Sequence, residues 1–156
     1  MSRTHVRVTG SNGRTCDTYA LIDDGADKSL CDERLLKRLG QKGRPVDFKK
    51  TTVSSAGSSV SGSEVTARVQ SIAGSDVVEL TKVWSVKRLP VNAKSTASAE
   101  SIRRFPHLAD IDIPRVVSND VMLLIGTDAP EAHISIKVRA GDGHQPFAVR
   151  TRLGWA

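Results

Sequence analysis

Apolar and polar positions divide this chain into short strand-like runs separated by polar turns, with one helical stretch among them. His5 to Val8 alternates weakly. Tyr19-Ala20-Leu21-Ile22 is a short apolar run that stops abruptly at Asp23 and Asp24, the pattern of a buried strand. Asp32 then stands where a helix N-cap belongs, followed by Leu35, Leu36 and Leu39 at helical spacing, and Gly40 supplies a C-terminal stop. That spacing predicts a short amphipathic helix over Asp32 to Leu39.

From Val46 onward the period switches to two. Val65, Ala67 and Val69 alternate with Thr66, Arg68 and Gln70, which predicts a strand with one buried face. Between Thr52 and Ser63 lies a Ser/Gly-dominated stretch, open to two readings: a flexible linker by composition, or the tip of a hairpin, since strand-like segments flank it. Gly74-Ser75 predicts a turn, Val77 to Val86 a strand carrying Trp84, and Asn92 to Ala99 a surface loop. Met122 to Ile125, His133 to Val138 and Phe147 to Thr151 predict three further strands. No repeat is visible, and 156 residues fit one domain, residues 1–156.

Composition narrows the function classes. Aromatic residues make up 4% of the chain, so the core must rest on Val, Leu, Ile and Ala. The longest apolar run, Val121 to Ile125, is far short of the roughly 20 residues that span a bilayer. The polar start, Met1 to His5, has no apolar signal core behind it, which predicts an intracellular, cytoplasmic protein or an internal piece of a polyprotein. The net charge is +6, yet Lys and Arg are dispersed and not interleaved with aromatics, so a solvated basic surface is favoured over nucleic-acid binding. Cys16, Cys31 and four histidines show no ligand spacing; free buried thiols are expected, with no metal and no cofactor.

The chemistry concentrates in Ala20-Leu21-Ile22-Asp23-Asp24-Gly25-Ala26. A hydrophobic strand delivering an Asp, one further residue, then Gly and a small residue suits a carboxylate held at the end of a rigid strand by a tight turn. Asp-x-Gly alone also describes an ordinary solvated turn. A second segment, Leu123-Leu124-Ile125-Gly126-Thr127-Asp128, lies about a hundred positions later. By itself it describes a core strand ending at Gly126.

Together with Phe105-Pro106-His107-Leu108-Ala109-Asp110-Ile111 and Thr151-Arg152-Leu153-Gly154-Trp155, these two segments resemble the protease domain of Bel/Pao-type retrotransposons, in the retropepsin clan. The resemblance spans about Val6 to Trp155. It implies a mostly β fold: a retropepsin-like closed barrel, one lobe per chain, with one or two short helices and a flap hairpin at about residues 50–65. Asp23 then takes the catalytic position, with Asp24, Gly25 and Ala26 in the active loop. Ser54, Ser55, Ala56, Gly57 and Ser58 fall in the substrate-covering flap, and Ile125 and Gly126 in a buttress beside the loop. The chain departs from the pattern at Asp24, where such proteases usually carry Ser or Thr, whose hydroxyl both donates and accepts across the dimer. An ionised carboxylate cannot donate.

The implied chemistry is peptide hydrolysis by two carboxylates that share a proton and hold a water. Only one Asp-x-Gly follows a hydrophobic strand; Asp142-Gly143 sits in a Gly-rich turn without one. Each subunit of a homodimer is therefore expected to contribute one Asp23, acting on a peptide or a retroelement polyprotein. The alternative is a protease-like fold, disabled by Asp24, that binds extended peptides by strand pairing.

Overall fold

The computed structural model describes residues 2–52, 55–89, 91, 99–112 and 120–156. Among these residues ten strands and two short α-helices follow in the order β1 (Ser2–Gly10), β2 (Thr15–Ile22), β3 (Leu30–Asp32), α1 (Glu33–Leu39), β4 (Arg44–Thr52), β5 (Ser55–Ser71), β6 (Val77–Val86), α2 (Ala99–Arg103), β7 (Val121–Ile125), β8 (Lys137–Arg139), β9 (Ala148–Thr151) and β10 (Gly154–Trp155). Six of them close a barrel in the order β1-β2-β7-β3-β6-β5, with β5 returning to β1. The mostly β barrel with short helices and a long hairpin is the architecture that the resemblance implied.

The closure depends on the length of β5. Its second half pairs with β6 and β1, while its first half leaves the barrel and pairs with β4 as a two-stranded ribbon from Arg44↔Glu64 to Thr52↔Ser55. The Ser/Gly stretch is therefore largely strand, not linker. Near the tip β5 carries one extra residue between its partners to Lys50 and Thr52, and Gly57 there has φ +75°, a bulge that twists the ribbon. Gly62 lies where the ribbon crosses the end of β6; a Cβ there would collide with the Ser85 carbonyl.

Alternation sets two cores. Ala20 and Ile22 of β2 point into the barrel with Val6, Val8, Cys31, Val69 and Leu123; Tyr19 and Leu21 point outward against Phe48, Leu89, Val121 and Leu124. β7 is buried on both faces, which explains its unbroken apolar run. Asp32 caps α1 through Arg34 N at 2.9 Å, and Gly40 ends it in a left-handed conformation (φ 61°), as the sequence predicts. Burial alone would raise the Asp32 carboxyl, but hydrogen bonds from Arg34 and Leu89 and the Arg34 charge outweigh it and hold the group below its usual range.

Two expectations meet a different outcome, and a third falls almost wholly outside the described residues. His133 to Val138 is not one strand: Pro130 starts a 3-10 turn, Pro130–His133, and ladder pairing with β9 begins only at Lys137. Cys16 is only partly buried, whereas Cys31 is fully so, and burial followed by the charges of Asp32 and Glu33 pushes the Cys31 thiol up to about 12, leaving it an inert packing group. The loop expected over Asn92 to Ala99 lies outside the described residues except for Ala99, which opens α2.

One buried group makes the fold acid-sensitive. Both ring nitrogens of His5 are buried without a hydrogen-bond partner among the described residues, with the ring 3.8 Å from that of Tyr19. Desolvation, then the Arg3 charge, lowers its pKa from 6.5 to about 4. Above pH 6.5 the ring is neutral folded and unfolded. Below that value the unfolded chain takes up a proton that the folded chain refuses, so stability falls until about pH 4, by about 3 kcal/mol in all. Urea midpoints measured across that window should show this slope, and His5→Phe should flatten it.

Candidate active site

β2 and β7 run parallel, pairing Leu21 with Leu124 and Ile22 with Ile125, so both strands end at the same edge of the barrel. Asp23 leaves β2 there and Gly126 leaves β7. The Asp23 amide donates to the Ile125 carbonyl at 3.0 Å, which continues the ladder one residue past the strand and fixes where the carboxylate begins. The chain then turns sharply. Gly25 N donates to Asp23 Oδ1 at 2.9 Å and Ala26 N to the Asp23 carbonyl at 3.3 Å, a turn held by the aspartate itself. A Cβ on Gly25 would stand 3.2 Å from Oδ1 and crowd it.

Asp23 is half-buried, while Asp24 and Gly25 are exposed. Oδ1 serves the loop, and Oδ2 makes no hydrogen bond among the described residues, which leaves it for a water, a substrate or a partner subunit.

Gly126 presses against the far side of the loop. A Cβ there would lie 2.8 Å from the Ala26 carbonyl and 2.8 Å from both N and C of Lys28. Thr127 N donates to the Ala26 carbonyl at 2.8 Å, and His133 Nε2–H donates to the Gly126 carbonyl at 2.8 Å. Gly126 N donates to Ser29 Oγ at 3.1 Å. Ser29 Oγ and N in turn donate to the two carboxylate oxygens of Asp128, at 2.7 and 3.1 Å. Strand β7 and its exit thus grip the loop at both ends.

The hairpin joins this region through its base. Trp84 stacks on Phe48 of β4 with ring centroids 4.8 Å apart and donates its indole N–H to Glu64 of β5 at 2.9 Å. The Lys28 ammonium lies 4.5 Å above the Trp84 ring and 3.6 Å from Asp128 Oδ2. Of the flap residues, Ser54 lies outside the described residues, Ser55 and Ala56 open β5, Ser58 is exposed, and no described residue packs within 4 Å of where a Gly57 Cβ would stand. Among the described residues no three His, Cys, Asp or Glu side chains are placed to hold a metal.

Sequence reasoning picked out Asp23, Gly25 and Gly126 but passed over Lys28, Ser29, Trp84 and the Asp128 carboxylate as parts of this site. Asp128 carried a signal, two places after Gly126; Ser29 carried none. No protein-family model matches the chain, and no curated protein sequence does. Among solved structures the chain is similar to the EIAV protease complexed with the inhibitor HBY-793, at 16% identity over 81% of this chain and 82% of that one, with a TM-score of 0.38.

Proposed function

We propose that this chain is one subunit of a homodimeric aspartic endopeptidase of the retropepsin type, with Asp23 as the catalytic carboxylate of each subunit. The observation that carries this reading is the Asp23 loop: a carboxylate fixed at a strand end by its own turn and by the Ile125 carbonyl, with one oxygen unengaged among the described residues. A single such carboxylate cannot both activate a water and protonate a carbonyl. Two related by a twofold axis can, one as general base and the other as general acid, sharing one proton. The β4–β5 ribbon offers an exposed backbone against which an extended peptide can pair. A polyprotein of a Bel/Pao-type retroelement, cut within the cell at its domain junctions, is the substrate that the sequence resemblance favours.

The alternative, a peptide-binding module without activity, is favoured by one feature: exposed Asp24 stands where a hydroxyl is expected. Peptide mixtures incubated with the chain from about pH 4 to pH 7 and read by mass spectrometry separate the two. Cleavage by the parent that falls at least about 1,000-fold in Asp23→Asn supports the endopeptidase. Equal cleavage by both chains, or none by a folded dimeric parent, rejects it.

A further inference from the structure

Ser29 is almost wholly buried, and every polar group it has is engaged in joining the active loop to its surroundings. Its hydroxyl accepts from Gly126 N and donates to Asp128 Oδ1, its amide donates to Asp128 Oδ2, and its carbonyl accepts from Trp84 N at 3.2 Å. Asp128 therefore closes a ring of hydrogen bonds between the end of the Asp23 loop and the exit of β7. The start of that loop is fixed separately, by Asp23 N on Ile125. A loop pinned at both ends to one strand has little freedom to tilt, and the direction of the Asp23 carboxylate follows from that.

We propose that Ser29 and Asp128 are positioning residues, which set the carboxylate of Asp23 at the geometry needed to meet its twin across the dimer axis. The proposal rests on the endopeptidase reading, and touches neither substrate nor water. Both carboxylate oxygens of Asp128 are needed as acceptors only while Ser29 donates twice. In Asp128→Asn the amide oxygen can accept from Ser29 N while its N–H₂ donates to Ser29 Oγ, which still accepts from Gly126 N. The clamp survives without the charge. In Asp128→Ala it does not, because Ser29 N and Oγ lose their acceptor, and in Ser29→Ala the Gly126 amide is left buried without the hydroxyl that accepts from it. Displacement of a reacting group by about 1 Å can cost about 100-fold in rate.

The test uses the full-length chain and a peptide that the parent cleaves in an Asp23-dependent way, so that failure of the endopeptidase reading registers first and separately. Ser29→Ala and Asp128→Ala should lower kcat about 100-fold with KM little changed, and Asp128→Asn should stay within about 3-fold of the parent. The two limbs of the bell-shaped pH–activity profile should draw together in the alanine variants, because carboxyls further apart interact less. Amide exchange at Gly126 should quicken most in Ser29→Ala, which removes its acceptor, and stay at the parent rate in Asp128→Asn. If an alanine variant fails to fold, Ser29→Cys fills the same space with a weaker hydrogen-bonding group and should lose about tenfold in kcat. Parent-level kcat in the folded Ser29 variants, or equal losses in Asp128→Asn and Asp128→Ala, would overturn the clamp.

Discussion

Gly126→Ala is expected to cost about 3 kcal/mol of stability and to remove cleavage activity beyond that loss. The added methyl has nowhere to go: three backbone atoms, the Ala26 carbonyl oxygen and N and C of Lys28, all lie 2.8 Å from it. Backbone cannot swing aside as a long side chain can, so either β7 or the 26–28 segment must move. Moving either strains the hydrogen bonds from Gly126 N to Ser29 and from Thr127 N to Ala26. A melting temperature lower by roughly 10 °C, with kcat lost at temperatures where the variant is still folded, is the expected outcome. A variant as stable and active as the parent would mean that the loop and β7 are not packed as described.

Asp24→Thr should tighten the dimer at neutral pH by about tenfold and leave it little changed near pH 4. Asp24 is exposed at the tip of the turn that carries Asp23, so a partner that approaches Asp23 approaches Asp24 as well. Assembly then gathers four carboxyls in a small region, the two of Asp23 sharing one proton, so that repulsion falls in acid and threonine removes two of the four groups. Threonine also restores a group that both donates and accepts. Dimer dissociation constants of parent and variant, measured by sedimentation at the two pH values, check this. Parallel pH dependence in the two chains would sink it. Acid is expected to favour assembly but, through His5 and Asp32, to weaken the fold, so activity should pass through a maximum between these limits.

The sequence disclosed those parts of the fold whose side chains sort by burial. β2, β7 and α1 were legible because Ala20, Ile22, Leu35 and Leu39 face a core, and because Asp32 and Gly40 punctuate the helix. The β4–β5 ribbon was legible by its pattern only as one of two readings, and as a flap hairpin through the resemblance, since most of it stands away from the barrel, held by backbone pairing that needs no apolar alternation. Residues 134–138 misled for the opposite reason: Ile134, Ile136 and Val138 alternate like a half-buried strand yet are 57%, 49% and 55% exposed. At the site, Asp23 and Gly126 were legible because a carboxylate at a strand end and a glycine at close backbone approach leave local signatures. The pairing of Ser29 with Asp128 leaves none, being two common polar residues far apart in sequence.

The central claim is that two copies of Asp23 make one site, and mixing subunits tests it most directly. Inactive Asp23→Asn chain is added in increasing excess to a fixed amount of parent, with cleavage of one peptide followed. If each site needs an Asp23 from both subunits, activity should fall as parent dimers exchange into mixed dimers, approaching zero at large excess. Activity that stays constant while exchange is shown to be complete would mean that a single subunit does the chemistry, and the account given for this chain would be wrong.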